Sequence, residues 1–146
     1  MHQSFDNATS NAVKLAGIIA REYGIEYVGT EHILLGICRE ETGLGGRLLE
    51  QRGLTEPKIR AEVDRLIQKS MEDTWVFGRL PGSPHFRNVV ARALDIAKEM
   101  DSKELRTEHL LLALLSEEGS VAYRALKALD CHYDDIAAEI RQQDTA

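Results

Sequence analysis

No apolar run in this 146-residue chain approaches the ~20 residues that a membrane-spanning helix needs. Met1-His2-Gln3-Ser4 also lacks the basic-then-apolar form of a secretory signal, so a cytosolic protein with no membrane partner is expected. Cysteine is scarce. Cys38 and Cys131 make no disulfide framework, and Cys38 falls inside an apolar helical pattern, where a small buried thiol is favoured over a disulfide or a reactive nucleophile. Positive charge is short as well: 18 Lys and Arg stand against 24 Asp and Glu, a net −6. Binding nucleic acid takes a cluster of basic groups that releases counterions, so nucleic acid is not expected as a partner. An acidic surface of this size serves solubility and leaves a cationic partner open.

Catalytic signatures are missing too. The glycine cluster Gly43-Leu44-Gly45-Gly46-Arg47 has neither the lysine nor the hydroxyl residue of a phosphate-binding G-x-x-x-x-G-K-[ST] loop, so ATP hydrolysis by that route is excluded. There is no H-E-x-x-H; Glu31 and His32 are adjacent and project about 100° apart on a helix. Cys131-His132 has no partners at zinc-site spacing, and no G-x-S-x-G elbow occurs. No metal, no cofactor and no enzymatic activity are expected.

What the chain does have is a repeat. Thr30-Glu31-His32-Ile33-Leu34-Leu35 returns as Thr107-Glu108-His109-Leu110-Leu111-Leu112, an offset of 107 − 30 = 77. Without a gap, the same offset lays Asn11 on Asn88, Ala16 on Ala93, Ile19 on Ile96, Glu40-Glu41 on Glu117-Glu118, Leu49 on Leu126 and Ala61-Glu62 on Ala138-Glu139. Each half has about 70 residues and would be marginal alone, because small domains bury a smaller fraction of their surface. Two halves packed into one body are therefore expected.

Each copy reads as four helices, and no strand-like alternation is visible. Val13, Ala16, Gly17 and Ala20 give a helical stripe from about Asp6 to Tyr23, with Gly24 placed to end it. Thr30 supplies an N-cap for a second helix that is apolar almost all round, Gly43 to Gly46 form a turn into a third near Arg47 to Gln51, and Thr55 caps a fourth with Pro57 in its first turn. In the second copy Ser83-Pro84 opens the first helix, and Thr107 caps the central one. Ala122, Ala125 and Leu126 line the third, and Ile136 and Ile140 the last. The expected class is all-α: two tandem four-helix repeats, 5–69 and 83–143, packed with pseudo-twofold symmetry around a linker, 70–82, whose Trp75 and Phe77 seek burial.

The octapeptide Gly29-Thr30-Glu31-His32-Ile33-Leu34-Leu35-Gly36, Phe5 placed 25 residues before Thr30, and Ser83-Pro84 at the head of the second copy together resemble the Clp N-terminal domain, most similarly its ClpC type. The resemblance covers essentially the whole chain. It implies a substrate- and adaptor-binding module in front of the AAA+ ATPase rings of an unfolding chaperone that feeds the ClpP peptidase. Protein clients, adaptors and the Clp ATPase ring or ClpP-type peptidase are the implied partners. Some ClpC-type members also recognise phosphorylated arginine.

By that resemblance Glu31 and Glu108 are the acidic positions for a guanidinium, with Thr30 and Thr107 beside them and the residue after the Phe5 position, Asp6 or Ser83, near the phosphate. A helix start suits such a ligand, since it offers free N–H groups to an anion next to a carboxylate. The plain alternative is that a first-turn carboxylate complements the helix dipole, worth ~0.3–1 kcal/mol. Asp6 would repel a phosphate, which makes the site of Ser83, Glu108 and Arg106 the stronger of the two expected. Arg106, where the first copy has Gly29, is either a phosphate donor or a surface residue. His32 and His109 are read as hydrogen-bonded packing residues. Three functions follow: a client- and adaptor-binding module, a stand-alone accessory factor that docks on a Clp protease core and regulates it, or, least supported, an independent enzyme.

Overall fold

The computed structural model describes residues 4–24, 28–73 and 84–145. The chain runs β1 (Ser4–Phe5), α1 (Asn7–Glu22), α2 (Thr30–Glu40), α3 (Leu44–Gln51), α4 (Glu56–Asp73), α5 (Pro84–Glu99), β2 (Glu104–Leu105), α6 (Thr107–Ser116), α7 (Val121–Ala128) and α8 (Tyr133–Thr145). The four-helix reading of each copy holds, with two corrections. β1 and β2 form a two-residue parallel ladder, Ser4 with Glu104 and Phe5 with Leu105. Two residues are too short to display a period of two. Also, α4 continues to Asp73, past Ser70, where the linker was expected to begin. The expected burial of Trp75 and Phe77 and the opening role of Ser83 fall outside the described residues.

The core is built from equivalent positions of both copies. Ala16, Ile19, Leu34, Leu49 and Ile59 are buried, and so are Ala93, Ile96, Leu111, Leu126 and Ile136, each 77 residues on. The central helices explain the all-round apolar pattern. Nothing from Thr30 to Ile37 in α2 and nothing from Thr107 to Leu115 in α6 is exposed, and removing that surface from water is the main stabilising contribution.

Helix ends also repeat. Gly24 and Gly53 take left-handed backbone at φ 72° and 75°, and their counterparts Asp101 and Asp130 do the same at φ 59° and 60°. Aspartate visits this region as single residues because its short side chain hydrogen-bonds locally.

α1 runs antiparallel to α2. Gly36 abuts Ala12 so closely that a Cβ on it would lie 2.4 Å from the Ala12 carbonyl oxygen, while at the far end the Tyr23 ring meets His32 with centroids 5.5 Å apart. This pairing fixes which helix starts come together.

Candidate functional site: the starts of the two central helices

The residue capping α2 is Gly29 and not Thr30; the one capping α6 is Arg106 and not Thr107. Both caps are extended, with φ −101° and −116°, and the threonines occupy the first helical position. The reason is the histidine three residues on. Nδ1 of His32 accepts from the Gly29 N–H at 2.9 Å, and Nδ1 of His109 accepts from the Arg106 N–H at 2.9 Å. Each histidine thus fills the place that Glu or Gln holds in a capping box. An accepting Nδ1 puts the ring hydrogen on Nε2. In His32 that Nε2 is buried with no hydrogen-bond partner among the described residues. Burial first, and the Arg60 charge second, pull the His32 pKa down to about 4. The packing role read from the sequence is what the geometry shows.

Freed from capping their own helices, the two threonines cap helices of the other repeat. Thr107 Oγ1 accepts from the Gly45 N–H of α3 at 2.9 Å, and Thr30 Oγ1 accepts from the Ala122 N–H of α7 at 3.4 Å. Donors and acceptors are both related by the repeat, since 122 − 45 = 107 − 30 = 77. Gly43 to Gly46, read as a turn, are the N-cap and first turn of α3. A Cβ on Gly45 would sit 2.8 Å from the Thr107 carbonyl oxygen, so the glycine permits the approach.

Glu31 and Glu108 are both nearly buried, 7% and 6% exposed. Burial pushes the Glu31 carboxyl pKa up, against smaller lowering effects from its own backbone N–H and the Thr30 hydroxyl. The carboxylate folds back over its cap: a Cβ on Gly29 would lie 2.5 Å from Glu31 Oε1. In the second copy Arg106, which is exposed, brings a Cβ of its own to the equivalent position.

Asp6 does not join Glu31. Its carboxylate caps α1 by accepting from the Thr9 N–H at 2.8 Å, and its backbone N–H donates to the Leu105 carbonyl at 3.0 Å, two residues before Thr107. A Cβ on Gly43 would lie 3.2 Å from Ala8 Cβ and 2.4 Å from Thr107 Oγ1, so the starts of α1, α3 and α6 converge. Glu31 sits at the other end of α1, whose 16 residues span about 24 Å. The expected grouping of Asp6 with Glu31 is therefore corrected: Asp6 accompanies Arg106 and Thr107. The resemblance grouped it with the glutamate of its own repeat, whereas the antiparallel α1–α2 pairing sends it to the other. The glycines at 43 and 45, both against Thr107, were the available signal of that close approach.

Neither thiol is activated; burial pushes Cys38 up to about 12 and Cys131 up to about 11, and both are free. Among the described residues no group of three or more His, Cys, Asp or Glu is placed to hold a metal ion. No helix there is long and apolar enough to cross a membrane.

Two helical repeats that exchange hydroxyl caps around a pseudo-twofold axis, each presenting a nearly buried glutamate at a central helix start, define a duplicated helical module. The chain belongs to the Clp repeat (R) N-terminal domain family, whose model matches residues 4–129 and 82–144. Chloroplastic chaperone protein ClpC1 of Oryza sativa subsp. japonica is 33% identical over 139 residues, which are 93% of this chain and 15% of that protein. A ClpA homolog described as an ATP-dependent Clp protease ATP-binding subunit, from Porphyra purpurea, is 33% identical over 141 residues, 94% of this chain and 17% of its own. Among solved structures, the N-terminal domain of ClpD from Arabidopsis thaliana superposes with a TM-score of 0.74 at 22% identity, covering 97% of this chain and 95% of that one. The Hsp104 N-terminal domain from Candida albicans gives 0.66 at 17% identity, covering 92% and 87%. These two share the fold. The chain thus spans about one sixth of its curated relatives.

Proposed function

We propose that this chain is the substrate- and adaptor-binding module of a ClpC-like ATP-dependent unfoldase–protease system, acting on protein clients in the cytosol. The observation that carries the reading is the pair of equivalent helix starts, each with a nearly buried glutamate beside a threonine, on a member of the Clp repeat family. No chemistry is required of them: a glutamate takes a guanidinium, and first-turn N–H groups take a phosphate, so phosphoarginine on a client is the ligand class that fits. Glu31 with Thr30 forms one such start, Glu108 with Thr107 and exposed Arg106 the other. Asp6 belongs to the second. Its carboxylate opposes a phosphate there and offsets the gain from Arg106.

Titration with free phosphoarginine, followed through backbone amides by NMR, is the test. Signals from Thr30 to His32 and from Thr107 to His109 are expected to move, and Glu31→Ala or Glu108→Ala abolishes the response at its own start only. Asp6→Asn, which retains an N-cap side chain, strengthens binding at the α6 start and leaves the α2 start unchanged. Absence of movement at both starts up to millimolar ligand would leave the two glutamates as dipole-complementing residues.

A further inference from the structure

The outer face of α1 is unlike its counterpart in the second repeat. Lys14, Gly17, Ile18 and Arg21 follow the i, i+3, i+4, i+7 spacing of one helix face. The equivalent positions in α5 are Ala91, Leu94, Asp95 and Lys98. Leu94 packs on the edge of the core and Asp95 is exposed, as a solvated helix face requires. In α1 the pattern is inverted: the core-edge leucine is replaced by glycine and the solvent-facing aspartate by isoleucine, which is 45% exposed. Val13, one turn before Gly17, is 36% exposed, and together with Phe5 these are the exposed large hydrophobics among the described residues, all within the first 18 positions.

Gly17 has no internal explanation. Among the described residues a Cβ there would meet nothing within 4 Å, so none of them demands its absence, while glycine in a helix interior weakens the helix. Glycine on an open helix face between apolar residues lets another backbone approach closely. Lys14 and Arg21 flank it. Neither takes part in an ion pair among the described residues, on a chain that carries net −6.

We infer that this face, Val13, Lys14, Gly17, Ile18 and Arg21, docks an amphipathic helix of a partner protein that bears carboxylates beside its apolar stripe. The inference rests on the binding-module reading and names a surface and a partner chemistry for it, apart from the helix starts. A second copy of the chain does not fit, because symmetric packing would bring Lys14 and Arg21 against their own kind. Two basic groups on an acidic chain make a poor anchor for an anionic membrane.

The probe is a synthetic helical peptide of roughly 18 residues with leucines at i, i+3, i+4 and i+7 flanked by glutamates, compared with the same peptide carrying lysines. With the acidic peptide, amide shifts are expected in residues 10–22, with binding that weakens as salt rises. Gly17→Leu and Ile18→Asp install residues the second repeat uses at the same positions. Each should weaken the acidic peptide roughly tenfold or more, while Gly17→Leu raises Tm, an outcome no structural role for the glycine produces. Equal binding of the lysine peptide, shifts confined to another surface, no shifts at all, or unaltered affinity in Gly17→Leu would overturn the inference. Self-association through this face, or its binding to phosphatidylglycerol vesicles in place of the peptide, would do so too. The phosphoarginine response at Thr30 to His32 is read on the same Gly17→Leu sample, so loss of the α1 face and loss of the module reading are told apart.

Discussion

His32 costs the fold stability at low pH. In the unfolded chain it titrates near 6.5; in the fold its pKa is held near 4, first because the charged ring would be buried and second because it would face the Arg60 charge. Between these values the unfolded state binds the extra proton. The stabilisation is therefore complete above pH 6.5 and is lost as pH falls toward 4, by about 3 kcal/mol in all. Glu31 acts in the opposite sense. Its folded pKa is raised, so its contribution is fully present below 4.5 and lost as pH rises through the folded value. Urea unfolding at pH 7 and pH 4.5 separates the two. His32→Gln keeps a capping-box acceptor and should lose distinctly less stability between those pH values than the unmodified protein; equal losses would show that His32 does not set the acid limb. At this scale the sequence revealed the packing role of the histidines but not the left-handed Asp101 and Asp130, which no glycine marks.

At the scale of elements, the two threonines hold the repeats in register by capping α3 and α7 across the interface. Thr107→Val keeps the shape and removes the acceptor, leaving the Gly45 N–H buried without a partner. Losing such a cap costs about 0.5–2 kcal/mol. Thr30→Val should cost less, because its bond to Ala122 is longer, 3.4 Å against 2.9 Å, and α7 retains Ser120, whose hydroxyl accepts from the Tyr123 N–H at 3.1 Å. Thermal or urea unfolding of both variants checks the order, and equal or reversed costs would contradict it. The helices themselves were legible, since Leu34, Ile37, Leu111 and their neighbours recur with helical period. The exchange of caps was not, because a threonine at a helix start reads as that helix's own cap unless the histidine behind it is recognised as the competitor. The place of Asp6 was hidden for the same reason: period and spacing report faces, not which helix end meets which.

For the whole molecule, the 77-residue repeat in the sequence corresponds to equivalent buried positions, equivalent helix ends and reciprocal caps, yet the halves are not equal. Arg39 reaches Glu22 at 2.9 Å and Glu56 at 2.6 Å, and Arg60 reaches Glu22 at 3.0 Å, tying α1, α2 and α4 together. The second repeat has Ser116, Tyr133 and Ala137 where Arg39, Glu56 and Arg60 stand. Partly exposed pairs of this kind add little individually. The ion pair Arg52–Glu139 and the packing of α3 on α6 and of α7 on α4 and α2 instead join one repeat to the other. Each half therefore leaves one first-turn N–H of its third helix, Gly45 or Ala122, to be capped by a threonine of the other. Equilibrium unfolding of fragments 1–73 and 84–146, alone and mixed, measures this interdependence directly. Each fragment alone should lack a cooperative transition, and mixing should restore helical signal and a single transition; a monomeric, cooperatively folding 1–73 would contradict a shared, cap-exchanged body.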